Sequence, residues 1–311
     1  MVAKRTPVVL ASALICACTD FSIDDSDSNA DKPTIIEETF LQDPTPRVDL
    51  LWMMDNTSSM ETEHAHLAGV IGDFMQELDS QGVSWHLGFI TPDGGGVLEG
   101  NPWVLTTSNV SPDRLANSLN VGLDGSLPQT GLAALIRALS EPLVSTDNSG
   151  FRRDNAALHM VVYADGDDQS DAVLGSDPVG QLLTFLDEES TRTGLPAVLS
   201  AVVGPEESGC LGPSGSATSG KRYLDAAISS GGATTSICNP DLPSIAEAVT
   251  DVSIALSTQF ELQAAPVERT IRVAINEDRI EGGWSIDGRS LVFETPPDYG
   301  ATISVRYEVA R

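Results

Sequence analysis

Apolar runs of strand length alternate with stretches of helical period through most of this chain. Val48-Asp-Leu-Leu-Trp-Met-Met54 is the pattern of a strand buried on both faces. Over residues 60–81, Met60, His64, Leu67, Ile71, Phe74 and Leu78 recur at spacings of three and four, which predicts a helix with one buried face. Val83, Trp85, Leu87 and Phe89 alternate as a strand, and residues 97–107 predict a short strand or hairpin. Helices are expected over 112–119, 130–139, 177–189, 221–229 and 242–256, and strands over 158–164, 197–203 and 234–238. This alternation predicts an α/β fold, a mostly parallel sheet between layers of helices, over residues 47–258.

Beyond Phe260 the period changes from 3.6 to 2. Ile271, Val273 and Ile275 alternate, as do Ile303, Val305, Tyr307 and Val309, with turn residues between the runs. A small all-β module over 259–311 is expected, in a structural role. Residues 18–46 are acidic, serine-rich and aperiodic, the composition of a disordered tether.

Charge narrows the partners. The 311 residues carry a formal charge of −28. Such a surface repels nucleic acid and anionic lipid headgroups, so neither is expected to bind it. At the N-terminus, Lys4 and Arg5 precede an apolar stretch from Val8 to Ile15 that is too short to span a bilayer, and a signal peptide over 1–17 is expected. Ile15-Cys-Ala-Cys18 resembles a bacterial lipobox. That resemblance implies lipidation at Cys18, contact with membrane through the lipid alone, and a place in the bacterial cell envelope, at the outer membrane. An exported chain meets an oxidising compartment, so Cys210 and Cys238 are expected to form one disulfide.

The candidate chemistry begins where the first apolar run stops. Asp55 is followed by hydroxyls at Thr57, Ser58 and Ser59, and then by the helical pattern. Strand, acidic-hydroxyl loop and helix place Asp55, Thr57 and Ser59 at the carboxyl end of a parallel strand, where open α/β sheets bind ligands. Hard oxygen donors of this kind suit Mg²⁺ or Mn²⁺. The same residues also fit a helix N-cap cluster.

Asp55-Asn-Thr-Ser-Ser59 resembles the D-x-S-x-S element of the metal-ion-dependent adhesion site of von Willebrand factor type A domains, with Thr57 in place of the first serine. The family adds a threonine from a second loop and an aspartate from a third. Thr130, opening a helical stretch, and Asp165, ending the run Leu158–Ala164 and followed by Gly166, stand in that order. The resemblance implies a doubly wound sheet, Mg²⁺ or Mn²⁺ held by Asp55, Thr57, Ser59, Thr130 and Asp165, and a partner protein or surface component whose carboxylate completes the ion's shell. It implies recognition and no enzyme activity. A structural envelope protein assembling without metal is the alternative; a metal-dependent hydrolase is the more distant one.

Asp167 and Asp168 are expected as solvated acids at the rim of this site, with a second ion as a lesser possibility. The run 165–176 lacks the Gly and Glu of a calcium loop. Asp147-Asn-Ser-Gly150 copies the metal motif with no apolar strand before it and reads as a turn. His64, His66, His86 and His159 read as core or surface residues. A nucleophile elbow, a P-loop and an H-E-x-x-H motif are absent.

Overall fold

The structure, a computed structural model, describes residues 33–42, 46–80, 82–253, 258–298 and 300–309. The expected signal peptide, Cys18 and the first part of the tether lie outside these residues. In chain order the first elements are β1 (Ile35–Leu41), β2 (Arg47–Met54), α1 (Glu61–Ser80), β3 (Ser84–Ile90), β4 (Leu105–Thr106), α2 (Pro112–Leu119) and α3 (Gly131–Ala138). There follow β5 (Ala157–Tyr163), α4 (Asp171–Leu174), α5 (Pro178–Thr193), β6 (Ala197–Val203), β7 (Cys210–Gly212) and β8 (Gly215–Ala217). Next come α6 (Lys221–Ser230), β9 (Thr234–Ser236) and α7 (Leu242–Ser253). The chain closes with β10 (Gln259–Glu261), β11 (Arg272–Ile275), β12 (Asp278–Ile280), β13 (Trp284–Asp287), β14 (Ser290–Phe293) and β15 (Thr302–Glu308).

Six strands form the central sheet in the order β4-β3-β2-β5-β6-β9, parallel except for the short β4. Because β2 is covered on both faces, its alternate side chains enter two cores. Val48, Leu50, Trp52 and Met54 pack with α1, α2 and α7, and Trp52 meets Phe74 edge-on at 5.5 Å. Leu51 and Met53 face α3, α5 and α6. Each such side chain, fully buried, stabilises the fold by roughly 1.5–3 kcal/mol. The chain leaves β2 towards β3 and later crosses back to β5 on the other side. The carboxyl ends of β2 and β5 are therefore a topological switch point, the crevice where open α/β sheets take ligands.

The C-terminal module is a pair of antiparallel sheets, β1-β15-β11-β12 and β10-β14-β13, around Phe260, Leu291, Phe293, Ile303, Val305 and Tyr307. Its first strand corrects the expected tether. Ile35–Leu41 pairs with β15 from Ile35↔Glu308 to Leu41↔Thr302, so the α/β domain is inserted between two pieces of the β module. Ile36 and Phe40 face this core, and the position between them is Glu38, buried and bonded to the Tyr307 hydroxyl. A carboxylate in the middle of the inward face hides the period of 2.

The Cys210–Cys238 disulfide is formed, with Cα atoms 6.1 Å apart. It anchors the β7–β8 hairpin, an element the sequence reading did not foresee. Among the described residues no helix is long and apolar enough to cross a membrane.

Candidate functional site

Asp55 follows the last residue of β2, and its amide donates to the Tyr163 carbonyl at the end of β5 (2.9 Å), which locks the two strand ends together. Its side chain turns back over its own loop. The Thr57 amide and hydroxyl both donate to Asp55 Oδ1, each at 2.8 Å. Thr57 Oγ1 and Ser59 Oγ are 3.0 Å apart, and Ser59 is exposed. His64, one turn into α1, donates from Nε2 to the Asp55 carbonyl at 2.7 Å, while burial pushes its pKa down and keeps the ring neutral.

Asp165 comes from the loop after β5. Its carboxyl lies against that of Asp55, close enough to share a hydrogen bond, and its carbonyl accepts from the Thr218 amide at 2.8 Å. Burial pushes the Asp55 carboxyl up; the two bonds from Thr57 pull it down; the neighbouring Asp165 pushes it up again. The net position is above the ordinary carboxylate value. Neither acid forms an ion pair among the described residues.

Thr130 is the residue before α3, and its hydroxyl donates to the Pro92 carbonyl at 2.9 Å. The start of α3 packs so closely on the β2 end that a Cβ at Gly131 would lie 2.2 Å from the Tyr223 hydroxyl and 2.6 Å from Met53 Cε. Glycine there lets the start of α3 settle against the end of β2. The buried Tyr223 phenol stays protonated, first through burial and then through the Asp168, Asp55 and Asp167 carboxylates around it.

Two expectations are corrected. Asp168 is only 3% exposed and is no solvated rim acid. Its Oδ1 accepts from the Leu132 amide (3.0 Å) and the Ser170 hydroxyl (2.7 Å), and its Oδ2 from the Ser170 amide (2.9 Å). A carboxylate at free amides of a helix start is held by hydrogen bonds and the helix dipole together. Asp167 is half-buried, with Oδ1 accepting from the Arg222 amide at the start of α6 (2.8 Å), and burial raises its pKa. The remaining decoys fall away as expected. Residues 146–150 form a turn, His159 is buried against Ser200 (2.7 Å), and His86 Nδ1 donates to the Phe151 carbonyl.

Asp93 escaped the sequence reading. It sits in the loop after β3, accepts from the Ser126 amide at 3.0 Å, and bonds the Asn56 side chain. Burial works upward on its carboxyl, but the bonds from Ser126, Asn56 and Thr91 hold it below the ordinary value. Three neighbouring parallel strands thus end in Asp55, Asp93 and Asp165. Only the position of Asp93 one strand away from the motif could have flagged it, because Thr91-Pro-Asp-Gly-Gly-Gly96 reads as a turn.

The donors fit a small hard cation. Oxygens on adjacent corners of an octahedron with 2.0–2.1 Å bonds lie roughly 2.9 Å apart, and the Thr57 and Ser59 hydroxyls are 3.0 Å apart. The Thr57 and Thr130 hydroxyls give their protons to Asp55 and to the Pro92 carbonyl; Ser59 then donates to Thr57, and each threonine oxygen keeps a lone pair for an ion. No group of three or more His, Cys, Asp or Glu among the described residues is arranged to hold a metal, so a cation at this site depends on the hydroxyls as well.

No protein-family model matches the chain. Curated proteins give no match either. Among solved structures, proximal thread matrix protein 1 from the mussel byssus aligns at 13% identity over 71% of this chain and 49% of its own, with a TM-score of 0.39. The chain spans about half the length of that mussel protein. The conserved hypothetical protein BatB from Bacteroides thetaiotaomicron aligns at 11% identity over 67% of this chain and all of its own, with a TM-score of 0.38. Likenesses this slight assign neither a family nor a function.

Proposed function

We propose that this protein is a cation-dependent binding module of the von Willebrand factor A kind. In this reading Asp55, Thr57, Ser59, Thr130 and Asp165 hold Mg²⁺ or Mn²⁺, and the ion recognises a carboxylate on a partner protein or cell-surface ligand. One observation carries the proposal. At the switch point of the sheet, Asp55 and Asp165 lie against each other with no ion pair to either among the described residues, and the Thr57 and Ser59 hydroxyls of the Asp55 loop stand at octahedral spacing.

A bound cation supplies the positive charge that this pair of acids lacks and an attachment point for an external carboxylate. The chain's own residues do the rest. Asp55 fixes Thr57 through two hydrogen bonds, His64 and Tyr163 fix the Asp55 backbone, and Thr218 fixes the Asp165 carbonyl. A set of donors fixed in this way loses little conformational entropy when it closes on an ion. The proposed setting is the outer membrane of a bacterial envelope, reached through a lipid on Cys18, with the acidic segment before β1 as spacer. The proposed activity is recognition, not catalysis.

The test is calorimetric titration of Mg²⁺ and of Mn²⁺ into the EDTA-stripped protein, with Thr130→Ala and Asp165→Ala alongside. One-site heat in the parent that both substitutions weaken at least tenfold supports the proposal. No heat for either ion sinks it and returns the weight to metal-free assembly.

A further inference from the structure

A groove of about 370 Å³ opens beside Thr130, between the Pro92–Gly95 loop and the α3 and α4 helices. Its walls are largely aliphatic: Pro92, Ala133, Ile136, Val173 and Leu174 all line it. Val173 is 65% exposed, so its side chain is open to an incoming ligand at the groove's edge. The groove begins at a proposed cation ligand and runs down α3 towards Arg137, whose guanidinium approaches Gly95. Arg137 is exposed and forms no ion pair among the described residues, in a chain with 45 acids and 17 basic side chains.

Resting on the cation reading above, we infer that this groove is a second subsite for the same ligand. Its occupant is an extended peptide segment with one acidic residue at the cation, an aliphatic side chain in the groove, and a second acidic group at Arg137. Spacing supports the peptide. Arg137 lies seven residues after Thr130, the cap residue before α3, about 10 Å along the helix axis, which an extended peptide covers in about three residues. A fatty acid fits less well, because its apolar tail would end against the guanidinium. The cation and Arg137 supply the two positive charges, and the aliphatic wall between them supplies the apolar contact. Free carboxylates or acidic sugars offer no aliphatic group to fill that wall.

The probes are three synthetic peptides: acetyl-Gly-Asp-Leu-Gly-Glu-Gly-amide, the same with Gly for Leu, and the same with Gln for Glu. Binding is followed by amide chemical shifts in the full protein at saturating Mg²⁺, and again in EDTA. Burying one leucine side chain predicts a preference of about tenfold for the first peptide over its glycine version. Val173→Asp, at an exposed position, should abolish that preference and leave the Mg²⁺ titration unchanged. Arg137→Glu should remove the preference for Glu over Gln, an effect of a fewfold at an exposed site.

Normal Mg²⁺ binding with equal affinity for the leucine and glycine peptides, or with no binding of either, overturns the groove. Octanoate displacing the leucine peptide from the groove at lower concentration overturns the peptide assignment. A leucine preference that survives in EDTA and vanishes in Val173→Asp keeps the groove and overturns the cation reading on which it was built.

Discussion

Asp49 and Asp55 stand near opposite ends of one strand, six residues apart, and both are buried. Their surroundings could hardly differ more. Asp49 accepts from Arg153 Nε (2.7 Å), the Arg153 amide (2.7 Å) and Arg152 Nη1 (3.0 Å), and Arg152 continues to Glu189 at 2.9 Å. The Asp55 carboxyl has a second carboxyl for a neighbour and accepts from the Thr57 amide and hydroxyl, with no ion pair among the described residues. A buried carboxylate surrounded by arginines is fully compensated by its own chain. One facing another acid is not, and the missing charge has to come from outside, as a proton or a cation. In the reading proposed above, the amino end of the sheet serves folding and the carboxyl end serves binding.

The largest effect that could break this contrast is at Asp49. Asp49→Asn leaves Arg152, whose side chain is only 4% exposed, short of one of its carboxylates, and Arg153 without its buried partner. A loss of about 3–5 kcal/mol is expected in urea unfolding at neutral pH. The same change at Asp55, measured without cation, should move stability by less than about 1 kcal/mol, since the asparagine oxygen still accepts from Thr57 and the acid pair is relieved. Equal losses at the two positions would erase the distinction.

Next in size is the bridge beside the carboxyl end. Replacing Cys210 and Cys238 by serine frees a loop with a sequence separation of 28. About 3–4 kcal/mol should be lost by chain entropy. The β7–β8 hairpin whose neighbour Thr218 holds Asp165 should loosen as well, seen as faster hydrogen exchange of the Thr218 amide.

Acid titration sharpens the contrast further, because the two ends carry opposite signs. Burial raises the Glu189 carboxyl, but the bonds from Arg192 and Arg152 outweigh it and hold Glu189 below its ordinary value. Its contribution is therefore present above pH ~4.3 and lost as pH falls through the lowered value. Asp55 is held above its ordinary value, so in the metal-free protein its contribution is present below pH ~3.9 and lost as pH rises through the raised value. Between pH 3 and 6, Glu189→Gln should flatten the rise of stability with pH, and Asp55→Asn should steepen it. The slopes are read from urea unfolding at each pH, with no divalent cation present.

Legibility in the sequence follows the same division. Asp55, Thr57 and Ser59 stand out because they follow an apolar strand and precede a helix, which puts them at the carboxyl edge; Thr130 and Asp165 are picked out through the family resemblance. The parallel sheet was equally legible from strands alternating with amphipathic helices. What stayed hidden depends on partners distant in the chain. Asp168 looks like a surface acid until the Leu132 amide at the start of α3, 36 residues away in the chain, is brought over to bind it. Glu38 hides a strand because its partner, Tyr307, lies 269 residues away. The β7–β8 hairpin is too short and too rich in glycine to show a period, and the disulfide and Asp165 hold it in place instead.

The most direct test of the central claim is urea unfolding of the parent, Asp55→Asn and Asp49→Asn proteins, each with EDTA and with Mg²⁺ at about a hundred times its dissociation constant. A cation bound only by the folded chain should stabilise the parent by about 2.7 kcal/mol, give Asp49→Asn the same gain, and give Asp55→Asn none. A parent indifferent to Mg²⁺, or an Asp55→Asn protein that gains as much as the parent, would contradict the assignment of the carboxyl end as a cation site.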